Sequence, residues 1–479
     1  MYIGLDLGTS GLKAVLIDDQ QSIMAEAHDS LTSTRPQVGW SEQDPADWVT
    51  AAENVMSALS AKTTLDGVRG IGLSGQMHGA TMIDAAGDPL APCMLWNDTR
   101  ASQQAAAMDA DPMFREVTGN IVFAGFTAPK VAWFASQQPA LFAKVDKVLL
   151  PKDYLRLWLT GEAVSEMSDA AGTSWLDTGK RDWSDELLEK TGLTRSHMPR
   201  LVEGSEPSAT LRDSLAARWG LPKGVVVAGG GGDNASSAVG VGVVKSGDAF
   251  VSLGTSGVLF AASDAYQPDA ASAVHSFCHA LPDTWHHMGV ILAAGDALNW
   301  YAARIGQDVA TLTASLGPVQ APSRALFLPY LGGERTPHND ADIRSAFLHL
   351  DHGDDTVALT RAVLEGVTHA FVDNFHALTA TGTQINRLIG VGGGTKSNYW
   401  VQAISTALDM PIEIPVVGDF GGAFGAARLG MMAATGAGAE IATRPKIAKV
   451  IEPDTSQTSA FLDAHSRYRA SYSALKGLT

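Results

Sequence analysis

The first part of the chain alternates short apolar runs with glycine-rich turns, and this pattern predicts a group of neighbouring strands. Residues 2–7 and 12–18 form two β-rich apolar runs, which the turn at 8–11 separates. A third run at 22–27 extends the pattern. We therefore predict a three-stranded meander at the start of the chain.

The spacing of apolar residues changes from that of a strand to that of a helix after Asp44. Asp44 is a favourable N-cap, and Pro45 suits the first position of a helix. Apolar side chains then follow at helical intervals, at Trp48, Ala52, Val55, Met56 and Leu59. A buried strand at 68–74, which ends in Gly75, comes next. Strands, a helix and a further strand in this order predict an α/β fold.

The same order of elements occurs again in the second half of the chain. The pattern predicts strands at 248–253 and 258–262, a long helix from about residue 356, and a strand at 387–391 that runs into glycines. The pentapeptide Leu-Gly-Thr-Ser-Gly stands at the first turn of both sets. We interpret the chain as a duplicated architecture.

The duplication divides the chain into two predicted lobes. The N-terminal lobe, 1–244, contains the first glycine turn, and the C-terminal lobe, 245–479, contains the second turn and ends in a helix at 460–476. Two lobes of this size are expected to enclose a central cleft, and ligands commonly bind in such clefts.

The composition narrows the class of protein. Hydrophobic residues form 45% of the 479 residues and charged residues 18%, which argues against a disordered chain. The formal net charge of −17 disfavours a nucleic-acid partner, because phosphate contacts need clusters of Lys and Arg. No apolar run is long enough to span a membrane, no secretory signal opens the chain, and only two cysteines occur. We therefore expect a cytoplasmic protein.

The first turn combines glycines with hydroxyl, basic and acidic side chains. Gly8, Thr9 and Ser10 offer backbone N–H groups and hydroxyls to an anion, and Lys13 adds a positive charge. Asp6, at the end of the preceding strand, suits a hydrated metal ion. An ordinary β-hairpin turn is the alternative interpretation.

A second candidate loop is a run of four glycines at 229–232, which Asp233 and Asn234 follow. A buried strand enters the run, and Asp233 stands where a helix begins. The simple alternative is that Asp233 caps this helix. Four glycines exceed what a cap needs, so we predict that a bulky group lies close to the backbone here.

Two further turns complete the set of candidate ligand loops. Gly254 and Thr255 belong to the second hairpin, which has no acid before it. Gly392, Gly393 and Asn398 belong to a strand-to-helix turn that suits a nucleotide, with a tight connection as the alternative. No Gly-Lys-Ser/Thr sequence occurs, which excludes a P-loop enzyme. A dinucleotide site is disfavoured, because no acid closes the next strand.

These motifs resemble the FGGY family of carbohydrate kinases over nearly the full length of the chain, and most closely the xylulose kinases within it. The segments that carry the resemblance are 6–13, 40–45, 75–79, 125–133, 151–154, 253–257 and 333–338. A second family signature begins at 345–350, where His349 replaces the usual glycine.

The resemblance implies a two-lobed, ribonuclease-H-like fold of the actin-type ATPases, and a kinase that uses ATP and Mg²⁺. It implies that Asp233 is the general base and that Asp6 holds the magnesium ion. The sugar, D-xylulose, would be bound by Met77, His78, Trp96, Asp233 and Asn234. The phosphates of ATP would lie against Gly8, Thr9, Ser10, Lys13, Gly254 and Thr255, and its adenosine against Gly392, Gly393 and Asn398.

Three alternatives remain at this point. One is a kinase of the same family for another pentulose or a polyol. A second, from another class, is an ATP-driven conformational protein like actin or the heat-shock chaperones, against which the sugar-side segments count. A catalytically dead sugar sensor is disfavoured by the presence of both Asp6 and Asp233. The oligomeric state is open, with a homodimer among the alternatives.

Overall fold

The computed structural model describes residues 1–416 and 421–478. Its strands, numbered β1 to β24 in chain order, are Tyr2–Leu7, Gly11–Ile17, Ile23–Ser30, Glu42–Gln43, Gly70–Gly75, Thr81–Ile83, Cys93–Met94, Lys147–Leu149, Val164–Glu166, Leu176–Asp177, Asp182–Trp183, Arg200–Val202, Pro207–Thr210, Val226–Ala228, Gly231–Gly232, Gly247–Leu253, Gly257–Ser263, His275–Cys278, Trp285–Ile291, Leu326–Leu328, Ala346–Leu348, Ile385–Val391, Ile412–Pro415 and Ile447–Ile451. Its α-helices, numbered α1 to α16, are Pro45–Lys62, Ser102–Asp109, Pro112–Thr118, Thr127–Gln137, Pro139–Phe142, Pro151–Thr160, Met167–Ala170, Asp185–Lys190, Asp213–Trp219, Asp233–Val241, Gly295–Ile305, Val309–Ala314, Thr356–Ala380, Asn398–Leu408, Gly422–Thr435 and Thr458–Leu475.

The long strands form two seven-stranded sheets, one in each half of the chain. The first sheet has the order β13-β14-β5-β1-β2-β3, with β15 added beside β5. The second has the order β18-β19-β17-β16-β22-β23-β24. In each sheet, the first strand of a glycine hairpin is antiparallel to its successor and parallel to a later strand: β1 to β5, and β16 to β22.

The repeated arrangement confirms the predicted duplicated α/β fold. Leu7 pairs with Leu12 beside the first turn, and Leu253 pairs with Gly257 beside the second. A helix leads to the parallel strand in each half, α1 to β5 and α13 to β22. Asp44 accepts a hydrogen bond from the backbone N–H of Ala46, so it caps α1 as the sequence predicts.

Helix α15 lies in the second half of the sequence but packs against the first sheet. Glycines on β1 and β5 face the helix: a Cβ added at Gly4 would lie 1.8 Å from the carbonyl oxygen of Ala423, and one at Gly72 would lie 1.8 Å from that of Ala426. No side chain fits at such distances, so the helix backbone rests directly on the strands.

The same helix also contacts α10, which begins at Asp233. A Cβ added at Gly425 would lie 1.7 Å from the carbonyl oxygen of Ser236. Thus α15 holds the first sheet and α10 together through backbone contacts. The division of the chain at 244 and 245 stays a prediction. The strands of each sheet all come from one side of this boundary, whereas α15 comes from the C-terminal side and packs on the first sheet.

Two further observations concern the cysteines and the hydrophobicity of the helices. Cys93 and Cys278 are both buried free thiols. None of the described helices is long and apolar enough to cross a membrane.

The contact of α15 with β5 yields a stability prediction. Gly72→Ala places a Cβ against the carbonyl oxygen of Ala426, and overpacking of this kind costs about 1–3 kcal/mol or more of the free energy of unfolding. We expect a clearly lower midpoint of thermal unfolding. Gly332→Ala is the control, because a Cβ there meets no atom within 4 Å. Equal stability of the two variants would contradict the glycine requirement.

Candidate active site

Two acidic residues come together where neighbouring strands of the first sheet end. Asp6 on β1 is paired in register with Ser74 on β5, and Ser74 is paired in turn with Gly231 on β15. Asp233 follows β15 directly and is the first residue of α10. The parallel register therefore brings Asp6 and Asp233 to the same edge of the sheet.

The environment of Asp233 favours its protonated form more than water does. Burial and, next, the negative charge of Asp6 raise the pKa of Asp233 to about 6. The backbone N–H and side-chain amide of Asn234 donate to Oδ1 of Asp233 at 2.7 and 3.0 Å, which opposes the rise. Ser74 Oγ donates to Oδ1 of Asp6 at 2.8 Å. Asp233 is thus a carboxylate whose pKa lies close to neutral pH.

Asp233 is not the cap of its helix. The cap position is occupied by Gly232, and no side chain caps α10. The helix-cap alternative that the sequence leaves open is therefore wrong, because the chain enters the helix one residue earlier than a capping Asp233 would require.

The glycines before Asp233 are required by the protein itself. A Cβ at Gly229 would lie 2.2 Å from the carbonyl oxygen of Glu203, and one at Gly230, whose φ is +77°, would lie 2.1 Å from that of Leu73. At Gly232 an added Cβ would meet Met77 at 3.0 Å. The groups that lie close to this backbone belong to other segments of the same chain, so the run of glycines does not by itself indicate a ligand.

Buried polar side chains hold the backbone of the glycine loop through hydrogen bonds. Arg156 donates to the carbonyl oxygens of Ala228 and Gly229, both at 2.5 Å. Ser168 Oγ accepts a hydrogen bond from the backbone N–H of Gly232 at 3.0 Å. These bonds fix the backbone on both sides of the turn that carries Asp233.

The same side chains continue into a fully buried charge cluster. Lys152 Nζ lies 2.8 Å from Asp153, 2.9 Å from Asp169 and 3.3 Å from Glu166. Glu166 in turn accepts hydrogen bonds from the backbone and hydroxyl of Ser168. Because a buried charge is costly without partners, this cluster ties the helices around the loop into one arrangement.

His78 has a defined tautomer. Its Nδ1 lies 2.7 Å from the carbonyl oxygen of Gly172, which can only accept, so Nδ1 carries the hydrogen and Nε2 is an acceptor. Burial lowers the pKa of His78 to about 3, so the ring is neutral. The ring stacks on Phe126 at 4.4 Å, and its backbone adopts φ +68°. Met77 lies beside it and contacts both Gly172 and Gly232.

The first turn is held by glutamines and by Trp96. Thr9 Oγ1 donates to Gln76 at 2.9 Å and accepts from the indole N–H of Trp96 at 3.0 Å. Gln43 donates to the carbonyl oxygen of Thr9 at 2.7 Å. The Thr9 hydroxyl is therefore engaged within the protein, and the backbone N–H of Gly8 donates to the carbonyl oxygen of Gly11 at 2.9 Å. The backbone N–H groups of Thr9 and Ser10 and the exposed Ser10 hydroxyl are the donors that the turn offers to an anion.

Lys13 lies on β2 opposite Asp6 in the register of the sheet. Its Nζ is 3.6 Å from the carboxylate of Glu26 on β3. Lys13 is thus near the first turn, and its ammonium group is also close to the carboxylate of Glu26 on the neighbouring strand.

The second turn lies against the start of α11. The carbonyl oxygens of Gly254 and Thr255 accept from the backbone N–H groups of Gly295 and Ala294, both at 2.9 Å. Gly392, with φ +88°, approaches the carbonyl oxygen of Leu253. The second hairpin and the turn after β22 therefore meet, as the first hairpin meets the turn after β5.

A cavity of about 630 Å³ opens beside the turn after β22. Its lining residues are Leu298, Val309, Ala310, Thr313, Ala314, Gly317, Gly393, Gly394, Lys396, Ser397, Asn398, Tyr399 and Trp400. Asn398 also accepts a hydrogen bond from Lys449 at 2.5 Å. The cavity has the size and the mixed apolar and polar lining of a small-molecule site.

The structure brings Asp6, Asp233, Asn234, Met77 and His78 to one region. Sequence reasoning missed the supporting residues Gln43, Gln76 and Arg156. Gln76 lies in a segment that carries the family resemblance, which was the signal available for it. Arg156 gave no signal, because its partners are backbone oxygens 72 and 73 residues away.

Comparison with known proteins agrees with this arrangement. Residues 1–240 match the N-terminal domain of the FGGY family of carbohydrate kinases, and residues 249–434 match its C-terminal domain. The chain is 44% identical to the xylulose kinase of Escherichia coli strain K12, over 99% of both chains.

Solved structures show the same fold. A xyloylose kinase from Brucella ovis is 58% identical with a TM-score of 0.97, covering 100% of both chains. The xylulose kinase of Rhodospirillum rubrum is 26% identical with a TM-score of 0.93, covering 100% of this chain and 99% of its own. The two-lobed, actin-type α/β fold is confirmed, and the chain belongs to the FGGY family of carbohydrate kinases.

Proposed function

We propose that this protein transfers the γ-phosphate of ATP to the terminal hydroxyl of D-xylulose, on carbon five. The observation that carries the proposal is that the register of β1, β5 and β15 brings Asp6 and Asp233 to the same edge of the first sheet, where burial and the charge of Asp6 raise the pKa of Asp233. Full-length relatives that are named xylulose kinases support this choice of sugar.

Asp233 acts as the general base. The carbon-five hydroxyl gives its proton to the Asp233 carboxylate, its oxygen bonds to the γ-phosphorus, and the bond to the β-phosphate oxygen breaks to release ADP. A pKa of about 6 leaves the carboxylate ionised at neutral pH and makes it a stronger base than an ordinary aspartate. His78 Nε2 accepts a hydrogen bond from another sugar hydroxyl and so orients the sugar.

The two glycine turns bind the phosphates, with the backbone N–H groups of Thr9 and Ser10 beside Gly8 on one side and those of Gly254 and Thr255 on the other. The adenosine occupies the cavity beside Gly393 and Asn398. These turns lie in different halves of the chain, so the triphosphate bridges the two sheets.

The acidic pair fits a magnesium ion. Among the described residues no group of three His, Cys, Asp or Glu side chains could enclose a metal. Magnesium commonly takes one or two protein carboxylates and completes its shell with phosphate oxygens and water. Asp6, beside Asp233, can provide such a carboxylate. When bound, the ion would neutralise charge on the phosphates. Asp6 would hold it, with Ser74 orienting the carboxylate.

Membership of a carbohydrate kinase family decides against the ATP-driven conformational protein. The cytoplasmic location and a homodimer stay predictions.

The choice of sugar is tested by steady-state kinetics. We expect kcat/KM to be highest for D-xylulose in a panel that also contains L-ribulose, xylitol and glycerol. NMR of the product should show the phosphate on carbon five. A higher kcat/KM for L-ribulose or glycerol would disprove the substrate while leaving the kinase class intact.

The role of Asp233 is tested by Asp233→Asn, which keeps the size of the side chain but cannot accept the proton. We expect kcat to fall by roughly 10²–10⁴, the range for loss of a general base. The dissociation constant of ATP should hold, since the turns that bind it are unchanged.

The pH profile gives a second readout of the same residue. Because the base must be ionised, kcat/KM for the sugar should fall tenfold per pH unit below the pKa of about 6 in the wild type. The residual rate of Asp233→Asn should lack this acid limb. A variant within a few-fold of the wild-type rate, or with an unchanged limb, would remove Asp233 as the base.

The adenosine site is tested by Gly393→Val. An added Cβ at Gly393 meets no protein atom within 4 Å, so the larger side chain fits and extends into the cavity. We expect the KM for ATP to rise at least about tenfold with little change in the KM for sugar. Gly332→Val, at another unobstructed glycine, is the matched control. An unchanged KM for ATP would place the nucleotide elsewhere.

A further inference from the structure

Arg335 belongs to the second half of the chain and stacks on Phe123 in the first half. Its guanidinium carbon lies 3.7 Å from the ring centroid of Phe123. The backbone around it is fixed by Glu334, which accepts hydrogen bonds from the backbone N–H groups of Leu292 and Arg335 at 3.0 and 2.7 Å. The side chain is therefore presented by an anchored segment.

The guanidinium of Arg335 carries hydrogen-bond donors only. Across the described ranges 1–416 and 421–478, no oxygen accepts a hydrogen bond from the side chain of Arg335, although this side chain lies in a confined, half-buried position. Loss of hydration lowers its pKa to about 10. A guanidinium in such a position needs acceptors, and it offers five N–H groups in a planar fork.

A series of contacts relates Arg335 to the reacting end of the site. From Arg335 the contacts pass to Phe123, then to Phe126 at 5.3 Å, and then to the ring of His78 at 4.4 Å. Burial is the main cause of the lowered pKa of His78, and the positive charge of Arg335 adds to it. Met77, next in sequence, contacts Gly232 beside Asp233. Arg335 and Asp233 are therefore both linked to the Met77–His78 segment, Arg335 through the aromatic rings and Asp233 through Gly232.

We propose that Arg335 binds the α-hydroxyketone end of the sugar, with its fork donating to the carbonyl oxygen on carbon two and to the oxygen on carbon one. This inference rests on the proposed function, which places the carbon-five hydroxyl at Asp233. A carbonyl oxygen can only accept, and an arginine can only donate, so the two are complementary. Two adjacent oxygens also match the bidentate geometry of a guanidinium. Arg335 is thus a specificity-determining residue for ketoses.

The test combines a variant with a substrate analogue. The wild type and Arg335→Gln are each assayed with D-xylulose and with 1-deoxy-D-xylulose, which lacks the oxygen on carbon one. Loss of a hydrogen bond to a charged group should raise the KM of the variant for D-xylulose about 10- to 100-fold. The KM for ATP should be unchanged, and kcat should change much less than the KM for sugar.

The analogue reports whether the variant and the missing oxygen remove the same contact. Removal of the oxygen should lower kcat/KM substantially in the wild type but have little further effect in Arg335→Gln, because its partner is already absent. Arg335→Lys, which keeps the charge but loses the fork, should lie between the two.

Arg69→Gln is the matched control. Arg69 also stacks on an aromatic ring, that of Tyr2 at 5.0 Å, but it lies beside the start of β1, at the other end of this strand from Asp6. It should leave the KM for sugar unchanged. If Arg335→Gln lowers only the unfolding midpoint, the stack on Phe123 is merely structural and the inference is overturned. Equal kcat/KM of the wild type for both ketoses would also overturn it, whether or not the variant folds. A wild type inactive on D-xylulose would instead refute the proposed function.

Discussion

The arrangement of this protein depends on a contact that only glycine allows, between helix α15 and the first sheet. Gly4 and Gly72 let the helix backbone rest on β1 and β5, and Gly425 lets it rest on α10. At its first residue, Gly422, an added Cβ would lie 2.8 Å from a carboxylate oxygen of Asp6. One helix therefore touches the strand that carries Asp6 and the helix that begins at Asp233. It sets the relation between the two acids.

Two charged systems adjoin the glycine loop, and they have opposite character. In the first, Lys152 is enclosed by three carboxylates, and with Arg156 it forms a cluster of buried charges in contact with one another. In the second, burial and the like charge of Asp6 raise the pKa of Asp233. The buried cluster holds the backbone in one conformation, and the two neighbouring carboxylates favour the binding of a proton or a cation. The reactive carboxylate is therefore carried by a rigid part of the backbone.

The sequence correctly predicted the elements whose signals are local. Alternating apolar runs located both hairpins, and Asp44 with Pro45 located the start of α1. The identical turns at 7–11 and 253–257 indicated the duplication. The glycines at 229–232 correctly indicated that a group lies close to the backbone, and at Gly229 and Gly230 this group is another segment of the same chain. Local composition shows that a backbone must be approached closely, and it does not show what approaches it.

The sequence by itself therefore determined the strands, helices and duplicated order of this protein, together with the motifs that contain Asp6, His78 and Asp233, because such features depend on residues that are neighbours in the chain. Only the tertiary structure decided where α15 packs, which tautomer His78 adopts and what Arg335 faces. Each of these depends on partners distant in the sequence, such as Gly172 for His78 and Phe123 for Arg335. Such contacts arise from the packing of whole elements, whose relative positions no local pattern encodes.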